Sequence, residues 1–246
     1  MKIVTTRELG TKLCLISILI TVFSFVFIGN YVYDKFNAVD VTAENITDKT
    51  VIIDAGHGAP DGGTSSSDGT VEKDINLMIA LKLRDMLESM GIKTVMTRTD
   101  DSAIYDSSAS SIREKKVSDI RNRLKIINET ENSVFVSIHQ NHFSSSKYKG
   151  LQVFYSPNHP ESSMLADSIR LPVISYLQTD NSREIKSSGS EIYLLKNSQR
   201  PSVLVECGFM SNPDETKMLK DESYQRKLAL LIAIGIRDFL LKSKEI

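Results

Sequence analysis

The sequence predicts an α/β fold: a single domain with a largely parallel, mixed sheet of about six strands and helices on both faces, after an N-terminal membrane or signal segment. Three observations carry this. Short β-branched runs recur along the chain, amphipathic helical stripes lie between several of them, and serine- and glycine-rich pieces separate the two. No internal repeat competes with that reading. A chain of 246 residues, 41% of them hydrophobic, buries a substantial core.

The first 33 residues stand apart. Lys2, Arg7 and Lys12 precede the uncharged apolar run from Leu13 to Ile28, and Asn30, Tyr31 and Tyr33 follow it. This is the pattern of a signal peptide or signal anchor, with the N-terminus inside and the remaining chain exported. With no small-x-small cleavage site after the run, an uncleaved anchor is expected. Cys14 lies at the start of the run, not at its end, which speaks against a lipoprotein signal. Residues 34–49 read as a polar linker and 50–246 as the exported domain.

Strands are expected at Val51 to Asp54, Ile92 to Thr97, Val134 to Ile138, Leu151 to Tyr155, Glu191 to Leu195 and Ser202 to Val205. Helices fall between several of them. Ile75, Ile79, Leu83 and Leu87 share one helical face, and Ile120, Leu124 and Ile127 another. Two more helices are expected near Ser162 to Leu177 and from about Tyr224 to Leu241. The pieces TSSSDG, Tyr105 to Ser111 and SSGSE mark loops.

Charge excludes one class of partner. With 30 basic against 31 acidic residues there is no basic footprint for nucleic acid. Of the two cysteines only Cys207 lies in the exported domain, so an intradomain disulfide is excluded. A small buried residue at a strand end is the expected role of Cys207.

In open α/β sheets ligands bind beyond the carboxyl ends of the strands, and that rule sorts the polar residues. His57 follows the first strand in VIIDAGHGAPDGG, flanked by Gly56 and Gly58. His139 follows the third in VFVSIHQNHF, and Glu206 ends the last in SVLVECGFMSN. Glu72, in DGTVEKDINL, opens the first helix, fifteen residues after His57. Two histidines and a carboxylate suit zinc and leave one tetrahedral position open for water. A second carboxylate outside the ligand set is then free to take a proton from that water. Each residue has a plainer role open to it: His57 as a solvated loop histidine, Glu72 as an acid favoured at a helix N-terminus, Glu206 as an ion-paired residue.

The segments IDAGHG, EKDINL, SIHQNHF and VECGFMSN, in this order, resemble the signature of the zinc-dependent N-acetylmuramoyl-L-alanine amidases of peptidoglycan. The resemblance runs from about Val51 to Leu241. It implies zinc, one ion per chain, on His57, Glu72 and His139, with Glu206 as catalytic carboxylate. Arg98 in MTRTDD and Arg123 with Asn128 in RLKIIN also fit. DGTVEKDINLMIALKLRD, SSKYKGLQVFYSPN and EIYLLKNSQRPSVLVECGFMSNPDE resemble the sporulation amidases of endospore-forming bacteria, which act on spore cortex. That implies removal of stem peptides from muramic acid, functional partnership with a deacetylase, and formation of muramic δ-lactam after both. Glycine-rich flanks around three ligands also raise an accessory protein that orders the metal site.

Three departures from the family pattern stand out. Ala55 replaces a usual proline, which is expected to loosen the turn before His57. His142 replaces a small residue after SIHQN, and with Asn141 is expected at the substrate-facing rim, not on the metal. Cys207 replaces an apolar residue. His159 is expected to be solvated, and Ser137, a serine near the site, has no base at fixed spacing. Two rival readings are a membrane-anchored peptidoglycan-binding module without turnover and another zinc hydrolase, either a stem-peptide peptidase or a deacetylase.

Overall fold

A computed structural model describes residues 48–243 and, before them, Ser17, Thr21, Phe23 and Ser24. Those four are helical and belong to a separate unit, Met1–Ala43. The rest of the expected anchor and nearly all of the linker lie outside the described residues. Among the described residues no helix is long and apolar enough to cross a membrane.

Six strands form one sheet in the order β2-β1-β3-β6-β4-β5. They are β1 (Thr50–Ala55), β2 (Lys93–Met96), β3 (Ser133–Asn141), β4 (Gln152–Tyr155), β5 (Lys186–Ser187) and β6 (Ser202–Phe209). β2, β1, β3 and β6 are parallel, and β4 runs antiparallel to β6. The mixed sheet is therefore as expected, with three parallel strands, β1, β3 and β6, at its centre.

Among residues 48–243 six helices accompany it: α1 (Glu72–Ser89), α2 (Ile112–Glu129), α3 (Ser162–Tyr176), α4 (Tyr193–Asn197), α5 (Pro213–Lys220) and α6 (Glu222–Lys242). Local chemistry sets their starts. A capping box between Ser111 and Glu114 opens α2. Asn212 caps α5, with Pro213 in its first turn, and the Asp221 carboxylate accepts the Tyr224 N–H at the start of α6.

The pleat divides the core in two, because alternate residues of a strand face opposite ways. Val51 and Ile53, Val134 and Val136, and Val203 and Val205 pack with Ile75, Ile79 and Leu83 of α1, Leu165 and Ile169 of α3, and Ile232 and Phe239 of α6. Ile52, Phe135 and Leu204 face the other way, onto Ile127 of α2 and Leu194 and Leu195 of α4. Helices thus cover both faces.

Several expectations need correction. Glu191 to Leu195 is not a strand: its apolar residues serve one helical turn, α4, that docks Leu194 and Leu195 on the second face. The sheet's fifth strand is instead Lys186–Ser187, an exposed pair matched to Phe154 and Tyr155. β3 and β6 continue past Ile138 and Val205, so His139, Asn141 and Glu206 lie on strands and not just beyond them. His159 is half-buried, and its Nδ1 accepts the Glu161 N–H at 3.3 Å.

Candidate active site

Glu72 is the fixed point of the site. It is the first residue of α1, and its side chain is only 5% exposed. Oε2 accepts the Thr64 N–H at 2.9 Å, and Oε1 accepts the Gln140 N–H at 3.1 Å and the Asn76 amide at 3.2 Å. The same two oxygens face the histidines: His57 Nε2 is 3.2 Å from Oε2, and His139 Nδ1 is 3.0 Å from Oε1. Burial alone raises a carboxyl pKa. Here both imidazoles outweigh it and hold Glu72 well below the usual carboxylate range.

His57 reaches this point from a strained loop. Its φ is +63°, a left-handed conformation uncommon outside glycine. Asp61, four residues on, takes the ring's other nitrogen, Nδ1, at 2.9 Å, and is bridged in turn by Lys116 Nζ at 2.8 Å. Burial opposes a charged ring, but Asp61 and Glu72 outweigh it and lift the His57 pKa to about 9. An imidazole oriented by a carboxylate on its far nitrogen is the arrangement that fixes metal-binding histidines. Asp61 is a functional residue that strand and helix ends do not point to; its signal in the sequence is the i, i+4 spacing from His57 inside a glycine-rich loop.

The glycines of that loop are there for room. A Cβ on Gly56 would lie 2.3 Å from His139 Nε2, and one on Gly63 would lie 2.5 Å from Glu72 Oε2 and 2.9 Å from His57 Nε2. Both histidines and Glu72 therefore pack directly on glycine backbone.

Beneath the loop lies a buried polar bracket. Arg123 Nη1 donates to Asp54 Oδ1 at 2.5 Å and to the Ala55 carbonyl at 2.9 Å, and Nη2 donates to the His57 carbonyl at 2.6 Å. Arg98 donates to the carbonyls of Ala55 at 2.8 Å and Gly56 at 3.0 Å. Four hydrogen bonds thus tie the three residues ending at His57 to two arginines. This offsets the loosening expected from Ala55, which remains paired with Ile138. Ser137 Oγ donates to Asp54 Oδ2 at 2.5 Å and is 1% exposed, so it is part of the bracket and not a nucleophile. Burial works against a charged Asp54, but Arg123, Ser137, His139 and Thr97 together bring its pKa down to about 2. Asn128 accepts the Gln199 N–H at 3.0 Å, away from this bracket.

Glu206 stands beside His139 by register. The pairing of β3 with β6 slips just beyond, between His139 and Asn141, a bulge of the kind that re-aims side chains at sites. Part of the Glu206 side chain keeps solvent access, yet its Oε2 is buried with no hydrogen-bond partner among the described residues. Desolvation lifts its pKa to about 7, with Glu72 adding repulsion and the two histidines opposing. Cys207, the next residue, is buried and its thiol pushed well up by desolvation, consistent with a packing role.

His57, Glu72 and His139 each offer a donor atom within 4.8 Å of the others, an arrangement able to hold a metal ion. The remaining expected residues fall outside that trio. Asn141 ends β3 half-buried, its carbonyl accepting the Met210 N–H at 2.7 Å, and His142 is exposed just after it.

Two imidazoles and a carboxylate around one point, with a carboxylate next along the sheet whose Oε2 has no partner, define the class: an α/β-fold protein with a candidate metal centre at the carboxyl ends of its central strands. The comparisons then make it particular. The family model described as N-acetylmuramoyl-L-alanine amidase matches residues 51–238, and the chain belongs to that family. It is 32% identical over 225 residues to the germination-specific N-acetylmuramoyl-L-alanine amidase of Bacillus subtilis, covering 92% of this chain and 94% of that one. Among solved structures it resembles the CwlD amidase of Clostridioides difficile in complex with the GerS lipoprotein, with a TM-score of 0.76 and 45% identity over 79% of this chain and 99% of that one. The amidase AmiC2 of Nostoc punctiforme matches with a TM-score of 0.67 and 30% identity over 78% of this chain and 97% of that one.

Proposed function

We propose that the enzyme hydrolyses the amide between the lactyl group of N-acetylmuramic acid and L-alanine with zinc held by His57, Glu72 and His139 and with Glu206 as the proton carrier. The observation that carries this is the pairing of a three-donor cluster with a buried, unpartnered Glu206 Oε2 one strand away. The donor set fits zinc: two nitrogens and one oxygen, with His57 oriented by Asp61 and Glu72 by the Thr64 and Gln140 N–H groups. Zinc, when bound, polarises the amide carbonyl and acidifies the attacking water.

The chain's own residues do the rest. Asp61 holds His57 by Nδ1 and leaves Nε2 facing inward. The amides of Thr64 and Gln140 keep Glu72 from turning away. Glu206 takes the proton from the attacking water and delivers it to the alanine nitrogen, so that the amine leaves neutral. Its Oε2, buried without a hydrogen-bond partner, is free for both halves of that transfer. Asn141 and His142, at the end of β3, lie where substrate arrives.

Likeness to a germination-specific amidase and to CwlD supports a place in spore cortex synthesis, before formation of the muramic δ-lactam and alongside a peptidoglycan deacetylase. That place requires an exported, membrane-anchored or secreted chain at the spore envelope. The lipoprotein complex of CwlD supports an accessory partner for this chain as well. Mass spectrometry of digested muropeptides tests the reading: intact stem peptide freed from muramic acid supports it. Shortened peptides would indicate a peptidase, and loss of acetyl groups a deacetylase.

A further inference from the structure

Beyond His139 and Glu206 the two central strands run on to Asn141 and Phe209, which pair with each other. Phe209 is three residues past Glu206, about 10 Å along an extended strand. A stack of side chains rises from the buried Phe209 to the exposed Phe143. The Tyr148 ring tilts over Phe209 at 6.2 Å between centroids, and Phe143 meets Tyr148 edge-on at 4.9 Å. Two cations lie on the same rings. Arg183 Cζ is 4.7 Å from the Phe209 centroid and 5.8 Å from that of Tyr148, and Lys147 Nζ is 5.2 Å from Tyr148. Beside them opens a groove of about 600 Å³, lined by Lys147, Tyr148, Lys149, Arg183 and Glu215 among others.

The charges of this groove are not all matched within it. Lys149 is paired with Asp180. Glu215 is buried, and its two oxygens accept the Gly150 N–H at 2.9 Å and the Phe209 N–H at 2.7 Å. Arg183 Nε donates to the Lys149 carbonyl at 2.9 Å, which fixes the guanidinium and leaves both Nη groups without a hydrogen-bond partner among the described residues. Lys147 has no ion pair among them either. A guanidinium held by Nε, with its Nη edge free, matches the fork of a carboxylate. The chemistry of the substrate tells which part of it carries one. The lactyl carboxyl of muramic acid is used up in the scissile amide, so the free carboxylates lie on the stem peptide. In the proposed reaction the departing nitrogen lies at Glu206, and three residues of extended peptide span about 10 Å from there, the same reach that leads along β6 to Phe209. We infer that Arg183 and Lys147 bind a carboxylate on the second or third residue of the leaving peptide and so set a preference for acidic stem peptides. The inference rests on the amidase reading and adds to it the part of the substrate recognised beyond the scissile bond.

The test uses the full chain, loaded with zinc, and two N-acetylmuramoyl tripeptides, one with its carboxyl groups free and one with them amidated. The free compound should be cleaved with a kcat/KM about tenfold or more above the amidated one, the worth of one hydrogen-bonded charge pair. Arg183→Gln should bring that ratio to within about threefold, chiefly through KM, at unchanged zinc stoichiometry. Arg183→Lys should keep part of the ratio, because an ammonium retains the charge and not the fork. Lys147→Gln alters an exposed side chain and should lower the ratio by about two- to fivefold, so the inference stays testable if the arginine variants fold poorly. A wild-type ratio near one, or a ratio that neither glutamine variant lowers, overturns the carboxylate site alone. A gain in kcat/KM from an added N-acetylglucosamine unit that Arg183→Gln abolishes would put the glycan in the groove and overturn it too. Failure to cleave either compound rejects the amidase reading and the site with it.

Discussion

On one face of the central strands, Val51, Ile53, Val134, Val136, Val203 and Val205 are fully buried under α1, α3 and α6. On the other face the same strands begin alike, with Ile52, Phe135 and Leu204, and then change character toward their carboxyl ends to Asp54, Ser137, His139 and Glu206. The first face obtains its stability from apolar area. The second spends part of that area on buried charge, and the charge holds the loop that presents His57. The difference teaches that one pleat, read at alternate residues, separates support from chemistry.

Removing a metal donor should have the largest effect. His139→Ala leaves two protein donors and should lose both zinc and activity, as should His57→Ala; atomic absorption on the purified proteins, beside the muropeptide assay, checks this. Full metal content in either variant would contradict the ligand set.

Next comes the bracket beneath the loop. Arg123→Met removes the cation paired with Asp54, both groups being almost wholly buried, and should cost about 3–5 kcal/mol because it strands a buried carboxylate. Leu83→Ala on the opposite face should cost a comparable 2–5 kcal/mol. The two should part company on metal: chelator competition should show zinc affinity falling in the arginine variant and unchanged in the leucine one. Asp54 also fixes the sign of an acid limit. Its folded pKa of about 2 lies below the usual 3.8, so the stability it contributes is fully present above about pH 4 and is lost as the pH falls toward 2.

Glu206 has the opposite sign. Its folded pKa of about 7 lies above the usual 4.5, so ionising it costs stability as the pH rises from about 4.5 through 7. Glu206→Gln has no such charge. In metal-free protein, its stability relative to wild type should improve by on the order of 2–3 kcal/mol between pH 5 and pH 8, measured by denaturant melts. A pH-independent difference would remove the buried-carboxylate account.

The smallest effect expected is at Asp61. Asp61→Asn keeps a partner for His57 Nδ1 but not its charge, and should weaken zinc binding by about 10- to 100-fold with folding intact.

The sheet and most of its helices are visible in the sequence because β-branched runs and 3.6-residue stripes repeat cleanly. Where the pattern is thin, it misleads. Ile192, Leu194 and Leu195 make EIYLL resemble a strand, yet what they obey is docking against α2, which a single helical turn achieves. Lys186 and Ser187 carry no apolar signal at all and pair only because β4 offers an edge. At the site, His57, Glu72, His139 and Glu206 are legible because they fall at strand and helix ends in ordered motifs. Asp61 and the cationic groove are not, since one depends on a left-handed loop and the other on Lys147, Arg183 and Phe209 meeting from separate segments.

The most direct test of the central claim is zinc content and amidase turnover measured together on Glu206→Gln. A base one strand from the metal donors, and not among them, predicts about one zinc per chain and a rate lowered by about 10²- to 10⁴-fold. Turnover comparable to wild type, or loss of the zinc along with the activity, would contradict it.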